Sequence, residues 1–262
     1  MLRRIADAVR AKKDWPPQWL TDLNAAYSVL ARHPLGTDVH IAAHYDFLLA
    51  IGGKGTAVRV LDDGLQRFPE SWTLHDRLRA RVLAEQGPEA LERRYAEWPA
   101  QEKAPRHLAW FAGYAALIAA EAQRRTGALD LARAAYDRAI GHYDRLIVED
   151  AATKPNADHY AALALAGKAR MSLEQGNLDQ ALTELLASFA RKPEAAATLD
   201  GLNLSPADTS RTLRARLIAA DRKELVAQLD LVLAKMDPEL LKLPAYERPA
   251  PGARPFGRRR GG

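Results

Sequence analysis

Between residues 178 and 189 the apolar side chains Leu178, Ala181, Leu182, Leu185 and Phe189 recur at spacings of three and four. That period lays them along one stripe of an α-helix. The flanks carry start and stop signals. Gly176 predicts the end of a preceding helix, because glycine accepts the left-handed conformation after a helix C-terminus. Asn177 is a predicted cap, with Gln180 three residues on as its reciprocal partner. Pro193 predicts the stop.

The same punctuation recurs along the chain. Gly52, Ala57, Leu61, Gly64 and Pro69 have the same relative spacing as Gly176, Ala181, Leu185, Ser188 and Pro193. Gly127, Ala132, Tyr136 and Ala139 repeat the first four positions, and Asp221, Val226 and Pro238 keep three with poorer residues. A helical stretch precedes each key residue, as DHYAALALAGKARMSLEQ precedes Gly176. The unit is helix, tight turn, helix. A small residue at the crossing (Ala57, Ala132, Ala181) lets two antiparallel helices approach, and a large one nearby (Leu61, Tyr136, Leu185) fills the space toward the next unit. One such hairpin cannot bury its apolar face alone, so the units must stack. The count is twelve helices in six hairpins. SPAD at 205–208 predicts a helix start with Ser205 as cap, Pro206 in the first turn and Asp208 favourable to the dipole. Asp221 with Glu224 reads as a further capping box, and the helix after Gly127 is predicted to run long.

This pattern resembles the tetratricopeptide repeat, whose unit of about 34 residues has a mid-unit glycine, then alanine, an aromatic or leucine, a small residue and a closing proline. The likeness is closest in residues 37–70 and 162–194. It is confined to the second half in 113–140 and is degenerate in 3–36 and 207–240. In 71–105 the glycine is Gly87, but Pro88 follows and the remaining positions drift. The tryptophan, leucine and glycine signature of the first helix is poorly kept. The resemblance implies an all-α, right-handed helical-repeat solenoid of stacked antiparallel hairpins. Three segments are expected: N-terminal hairpins over 1–104, C-terminal hairpins with longer helices over 105–243, and a flexible tail over 244–262. The break between the first two falls at PAQEKAPR, residues 99–106.

Composition narrows the class further. The chain has 262 residues, 48% of them hydrophobic, enough for a sizeable core. It has no cysteine, which excludes disulfides, thiol nucleophiles and thiolate metal sites. The start, MLRRIADAVRAKKDW, lacks the apolar run of a secretory signal. The apolar run at 108–120 falls short of the roughly twenty residues that span a bilayer. A cytoplasmic protein without membrane contact is expected. The net charge of +5 is concentrated after Leu243, where five arginines stand against one acid. The basic character therefore belongs to the tail, whose Pro, Gly and Arg content predicts disorder around the anchor candidate Tyr246.

Several clusters invite a chemical reading. His40 and His44 share a helix face, but Ile41, Ala42 and Ala43 stand between them, without a metalloprotease glutamate. Packing at a helix interface is the expected role, and no metal or cofactor is assigned. His142-Tyr143-Asp144 and Asp158-His159-Tyr160 bring acid, imidazole and phenol together, yet adjacent helical residues diverge by about 100° and form no relay. IGGKGT at 51–56 lacks the preceding strand and the spacing of a phosphate loop. Nothing at catalytic spacing supports an enzyme.

The resemblance places partner contacts early and midway on the first helices. Carried over by register, the groove residues are Asp46, Arg79, Tyr114, Glu121, Arg124, Arg170 and Arg211. The lysine and asparagine clamp of some family members is not reproduced, since Ala42 and Asp46 occupy matching positions. The expected function is a non-catalytic scaffold that holds a peptide or protein in its groove, with arginines pairing acidic groups. The alternative is an RNA- or ribosome-associated adaptor, in which Arg254, Arg258, Arg259 and Arg260 of the tail meet phosphates.

Overall fold

A computed structural model describes residues 17–98, 108–197 and 205–242. Twelve α-helices, and no strand, are found among the described residues. They are α1 (Pro17–Arg32), α2 (Asp38–Ala50), α3 (Lys54–Arg67), α4 (Trp72–Gln86), α5 (Pro88–Ala96), α6 (Leu108–Arg125), α7 (Leu129–Glu149), α8 (Lys154–Glu174), α9 (Leu178–Arg191), α10 (Pro206–Ala219), α11 (Lys223–Leu233) and α12 (Pro238–Leu241). The chain is therefore all-α, and consecutive helices pack neighbour to neighbour from α1 to α7 and again from α8 to α11. The described set differs from the twelve expected over the whole chain. The four-residue α12 was not foreseen, and the expected helix starting near residue 3 lies outside the described residues. So do the expected break at 99–106 and the whole tail.

The turns explain the pairing. Among the described residues five have positive φ: Gly52 (84°), Gly87 (88°), Gly127 (83°), Gly176 (79°) and Asp221 (53°). They sit between α2 and α3, α4 and α5, α6 and α7, α8 and α9, and α10 and α11. These are the key residues of the sequence pattern. At Gly127 and Gly176 the backbone closes a recurring lock, with Ala128 N–H bonding the Gln123 carbonyl and Asn177 N–H bonding the Ser172 carbonyl, each at 2.9 Å. These bonds satisfy carbonyls left over at the end of the preceding helix.

Asp221 is a correction to the sequence reading. It is not the cap of α11. It is the left-handed turn residue itself, and Arg222 occupies the N-cap position. Aspartate tolerates this conformation better than most side chains. Asn177 does cap α9, accepting from Gln180 N–H at 3.2 Å, but the Gln180 side chain turns to Glu184 (2.9 Å) and completes no capping box. Ser205 caps α10 as expected, accepting from Asp208 N–H at 3.3 Å. α7 runs long, at 21 residues. α8 begins at Lys154, earlier than the Asp158 start expected.

The chain divides into two compact units, Met1–Thr153 and Lys154–Gly262. In the first, α2 packs on α4 and α4 on α6, so first helices of successive pairs also touch. The predicted crossing residues Ala57, Leu61, Ala132, Tyr136 and Ala139 are buried here. Gly64 is buried too, because a Cβ there would stand 2.6 Å from Ile41 Cγ2. Polar bonds fix the ends. Ser71 caps α4 through Leu74 N–H (3.2 Å) and donates to Asp38 at the start of α2 (2.6 Å). Arg67 reaches the carbonyls of Ala31 (2.6 Å) and His33 (2.7 Å), neutralising the C-terminal end of α1.

In the second unit α8 packs on α9 and α10, and α9 packs on α11. The stripe read from the sequence is its core. Ala181, Leu182, Leu185 and Phe189 are buried with Leu213, Leu217 and Leu229, and Leu178 is half-buried. Ser188 stands where its hydroxyl can donate to the Ala162 carbonyl at 2.7 Å, so a small polar residue serves at the crossing.

Candidate binding surface

Five of the seven groove residues carried over by register lie in the first unit, on α2, α4 and α6. The structure joins them into smaller groups. Asp46 on α2 receives a two-pronged bond from Arg77 on α4, at 3.0 and 2.5 Å. Its carboxylate is thus used within the fold, tying two first helices together.

Arg79 and Tyr114 come together. The guanidinium of Arg79 lies over the Trp72 ring at 4.5 Å and over the Tyr114 ring at 4.7 Å. Trp72 meets Trp110, Phe111 and Tyr114 at centroid distances of 5.0–6.0 Å. Arg79 is 1% exposed, and its Nε and Nη1 have no hydrogen-bond partner among the described residues. Asp76 approaches its Nη2 at 3.5 Å, and the Tyr95 phenol lies within its electrostatic reach. The charge is held chiefly by ring faces, an arrangement worth more when desolvated than in water. Trp72 remains 38% exposed, and Trp110 and Tyr114 are half-buried.

Beneath this cluster lies a neutral histidine. His75 is fully buried and stacks on Phe111 at 3.8 Å. Its Nε2 is 2.8 Å from the Pro69 carbonyl, which can only accept, so Nε2 carries the proton. Its Nδ1 then accepts from the Tyr95 hydroxyl at 2.9 Å. Burial pushes the imidazole down to about 4, and burial likewise pushes the Tyr95 phenol up to about 12. Both groups are structural at neutral pH.

Glu121 and Arg124 also come together. Glu121 is 2% exposed and accepts from Arg124 at 3.0 and 3.1 Å and from the Tyr136 hydroxyl at 2.5 Å. Arg125 adds a contact at 3.4 Å. The Tyr136 bond crosses the α6–α7 turn. In the second unit Arg170 is half-buried on α8, and Arg211 on α10 donates to the Leu241 carbonyl at 2.7 Å. The tail arginines Arg254, Arg258, Arg259 and Arg260 lie outside the described residues.

The histidine pairs resolve into helix ends and packing. His40 Nδ1 accepts from the Thr37 N–H at 3.1 Å at the start of α2. His44 is buried, stacks on Tyr27 and meets the Asn24 amide oxygen at 2.9 Å. Asp158 is held by Lys154 (2.6 Å) and Arg191 (2.5 Å). Burial raises its carboxyl, and the two hydrogen bonds outweigh that effect and bring it below the ordinary value. IGG of IGGKGT forms the α2–α3 turn and KGT opens α3, with Lys54 paired to Glu85 at 2.9 Å. Among the described residues no three His, Asp or Glu side chains gather as metal ligands. No helix among them is long and apolar enough to cross a membrane.

Sequence reasoning missed two features. One is Trp72, whose place at the start of α4 gave no repeat signal although it forms the outer wall of the Arg79 cluster. The other is a cleft of about 710 Å³ on the second helices, which includes His142. No known protein-family model matches the chain, and no curated protein sequence does either.

Proposed function

We infer that this protein is a non-catalytic interaction scaffold, a divergent tetratricopeptide-like stack of antiparallel hairpins with right-handed superhelical winding. Its first helices line a groove that takes a peptide or protein partner. The observation that carries this reading is the cluster of Trp72, Trp110 and Tyr114 around Arg79 on α4 and α6. Tryptophan, tyrosine and arginine are the residue types that dominate binding energy at protein interfaces, above all when clustered. Three rings with exposed or half-exposed edges give a partner's apolar side chains a rigid wall. Arg79 is held in place before any partner arrives, so little side-chain freedom is lost on association. Its unsatisfied N–H groups are oriented donors for a carbonyl or carboxylate once the partner displaces Trp72 or Tyr114 slightly.

The fold reading rests on the five left-handed turn residues at the pattern's key positions and on first helices touching in succession. The absence of bond chemistry rests on the uses already found for the polar side chains. Glu121, Asp46, Asp158 and His75 each serve a partner inside the fold.

The test compares proteins captured from a lysate by the full chain and by Trp72→Ala, each with and without nuclease, after circular dichroism shows both folded. Partners captured by the wild type and lost from the variant support the groove. Equal capture by both would refute it. Partners removed by nuclease alone would make the protein a nucleic-acid adaptor instead.

A further inference from the structure

The cleft on the second helices carries a separate inference, independent of the groove reading. It is formed by α5, α7 and the start of α6. α5 stops after nine residues, whereas α7 continues for 21, so the later turns of α7 rise past the end of α5. The resulting space of about 710 Å³ falls within the range of small-molecule sites.

The charges that line it cancel. Glu89, Glu92 and Glu149 stand against Arg93, Arg138 and Arg145. Arg138 is committed to Glu92 through bonds of 2.6 and 2.8 Å. Glu89 and Arg93 are four residues apart on α5, as are Arg145 and Glu149 on α7, a spacing at which opposite charges are neighbours on a helix surface. Glu89 also accepts from the neutral Gln123 amide at 3.1 Å. An ion entering this cleft would shed hydration without meeting a spare opposite charge.

The rest of the lining is uncharged. Leu108, Ala109, Ala112 and the Tyr95 ring supply an apolar wall. The Tyr95 hydroxyl is already used by His75, at 2.9 Å. That leaves His142. Burial, with the Arg145 charge second, holds its imidazole below the ordinary value, so the ring is neutral at pH 7. Its Nδ1 is buried and has no hydrogen-bond partner among the described residues. A neutral imidazole carries one proton, and a buried N–H without an acceptor is rarer and costlier than a buried acceptor without a donor. The proton therefore belongs on Nε2, the nitrogen that the ring can offer to the cleft.

We propose that this cleft binds a neutral small molecule with an apolar body and one carbonyl-type acceptor. The body lies against Tyr95, Leu108 and Ala112, and the acceptor takes the Nε2–H of His142. Burial of the body supplies the affinity, and the single donor fixes its orientation.

The experiment is equilibrium dialysis of the full chain at neutral pH against 2-acetylnaphthalene, naphthalene, 2-naphthoate and 2-naphthylmethylammonium. The ketone should bind at least about tenfold more tightly than either ion. The same dialysis with H142F and H142Q tests the donor. H142F should lower the ratio of ketone to naphthalene affinity about three- to tenfold, and H142Q, which restores an N–H, should keep it within about twofold of the wild type. Taking the ratio cancels any change in the apolar wall. His142 is half-buried, so both variants are expected to fold, and circular dichroism checks them. The comparison with the ions needs the wild type alone. Either ion bound as tightly as the ketone, no ketone bound up to its solubility limit, a ratio unchanged in H142F, or a ratio that H142Q fails to keep would overturn the proposal.

Discussion

Replacing Gly64 with alanine tests the closeness of the helix crossings in the first unit. Gly64 lies on α3, twelve residues after the Gly52 turn, where the pattern calls for a small residue. A Cβ at this position would stand 2.6 Å from Ile41 Cγ2 on α2 and 3.2 Å from Leu74 Cδ1 on α4. Carbon atoms pack comfortably at about 3.5–4.0 Å, so the shortfall at Ile41 is about 1 Å. Ile41 and Leu74 are both buried, and Ile41 is β-branched and stiff at χ1, so neither moves away cheaply. Overpacking of this kind costs about 1–3 kcal/mol. Alanine returns roughly 0.5–1 kcal/mol through better helix propensity. The net loss is at most about 2.5 kcal/mol and centres near about 1 kcal/mol, which lowers the melting temperature of a unit this size by roughly 2–4 °C. Gly141→Ala is the control. That glycine is exposed in the middle of α7 with no neighbour within 4 Å of a Cβ, so only the propensity gain remains. Thermal unfolding followed by circular dichroism should move the two variants in opposite directions. A Gly64→Ala melting temperature at or above the wild type would refute the close three-helix crossing.

Three further perturbations probe the turns, the buried histidine and the α6–α7 network. Gly176→Val should destabilise the second unit by about 1–2 kcal/mol through left-handed strain, whereas Asp221→Gly should stabilise it by a few tenths to about 1 kcal/mol; urea unfolding reads both signs. His75 has a folded pKa near 4 against an ordinary 6.5, so its contribution is fully present above pH 6.5 and is lost as pH falls through 4. It amounts to about 3 kcal/mol. Burial likewise lowers His44, His142 and His159, which adds in the same direction. Stability measured between pH 7 and 4 should therefore fall, and His75→Phe should flatten the slope even if it lowers stability at pH 7. Tyr136→Phe removes the hydroxyl bonded to the buried Glu121 carboxylate and should cost about 1.5–3 kcal/mol in the same unfolding assay.

Much of the fold is legible because helix punctuation is local. Gly52, Gly127 and Gly176 announce left-handed turns through residue type alone, and the alanines five residues later announce close crossings. Asp221 shows the limit of that reading. Aspartate followed by glutamate three residues on satisfies the capping-box rule, but the chain uses the same aspartate as the turn, and only the backbone angle distinguishes the two. The second pair departs from the pattern at Pro88, where the residue five positions after Gly87 is Glu92 instead of a small side chain. The short α5 that follows opens the cleft.

The binding surface was less legible, for a related reason. Register placed Arg79 and Tyr114 on successive first helices, which is why they were found. It could not supply Trp72, seven residues before Arg79, as the ring that closes over it. Nor could it reveal that Asp46 is consumed by Arg77, or Glu121 by Arg124 and Tyr136, because those pairings depend on side-chain reach across helices. Charge at a groove position is a poor guide when a neighbouring helix offers the opposite charge.

The most direct test of the scaffold reading places a photo-crosslinking benzoyl-phenylalanine at position 72, and in a second protein at position 148, where Val148 is 87% exposed on α7. Both are irradiated in nuclease-treated lysate, and the adducts are identified by mass spectrometry. A discrete protein adduct is expected from position 72, absent from position 148 and competed away by excess unlabelled wild-type protein. Identical adduct profiles from the two positions, or no protein adduct from position 72, would contradict it.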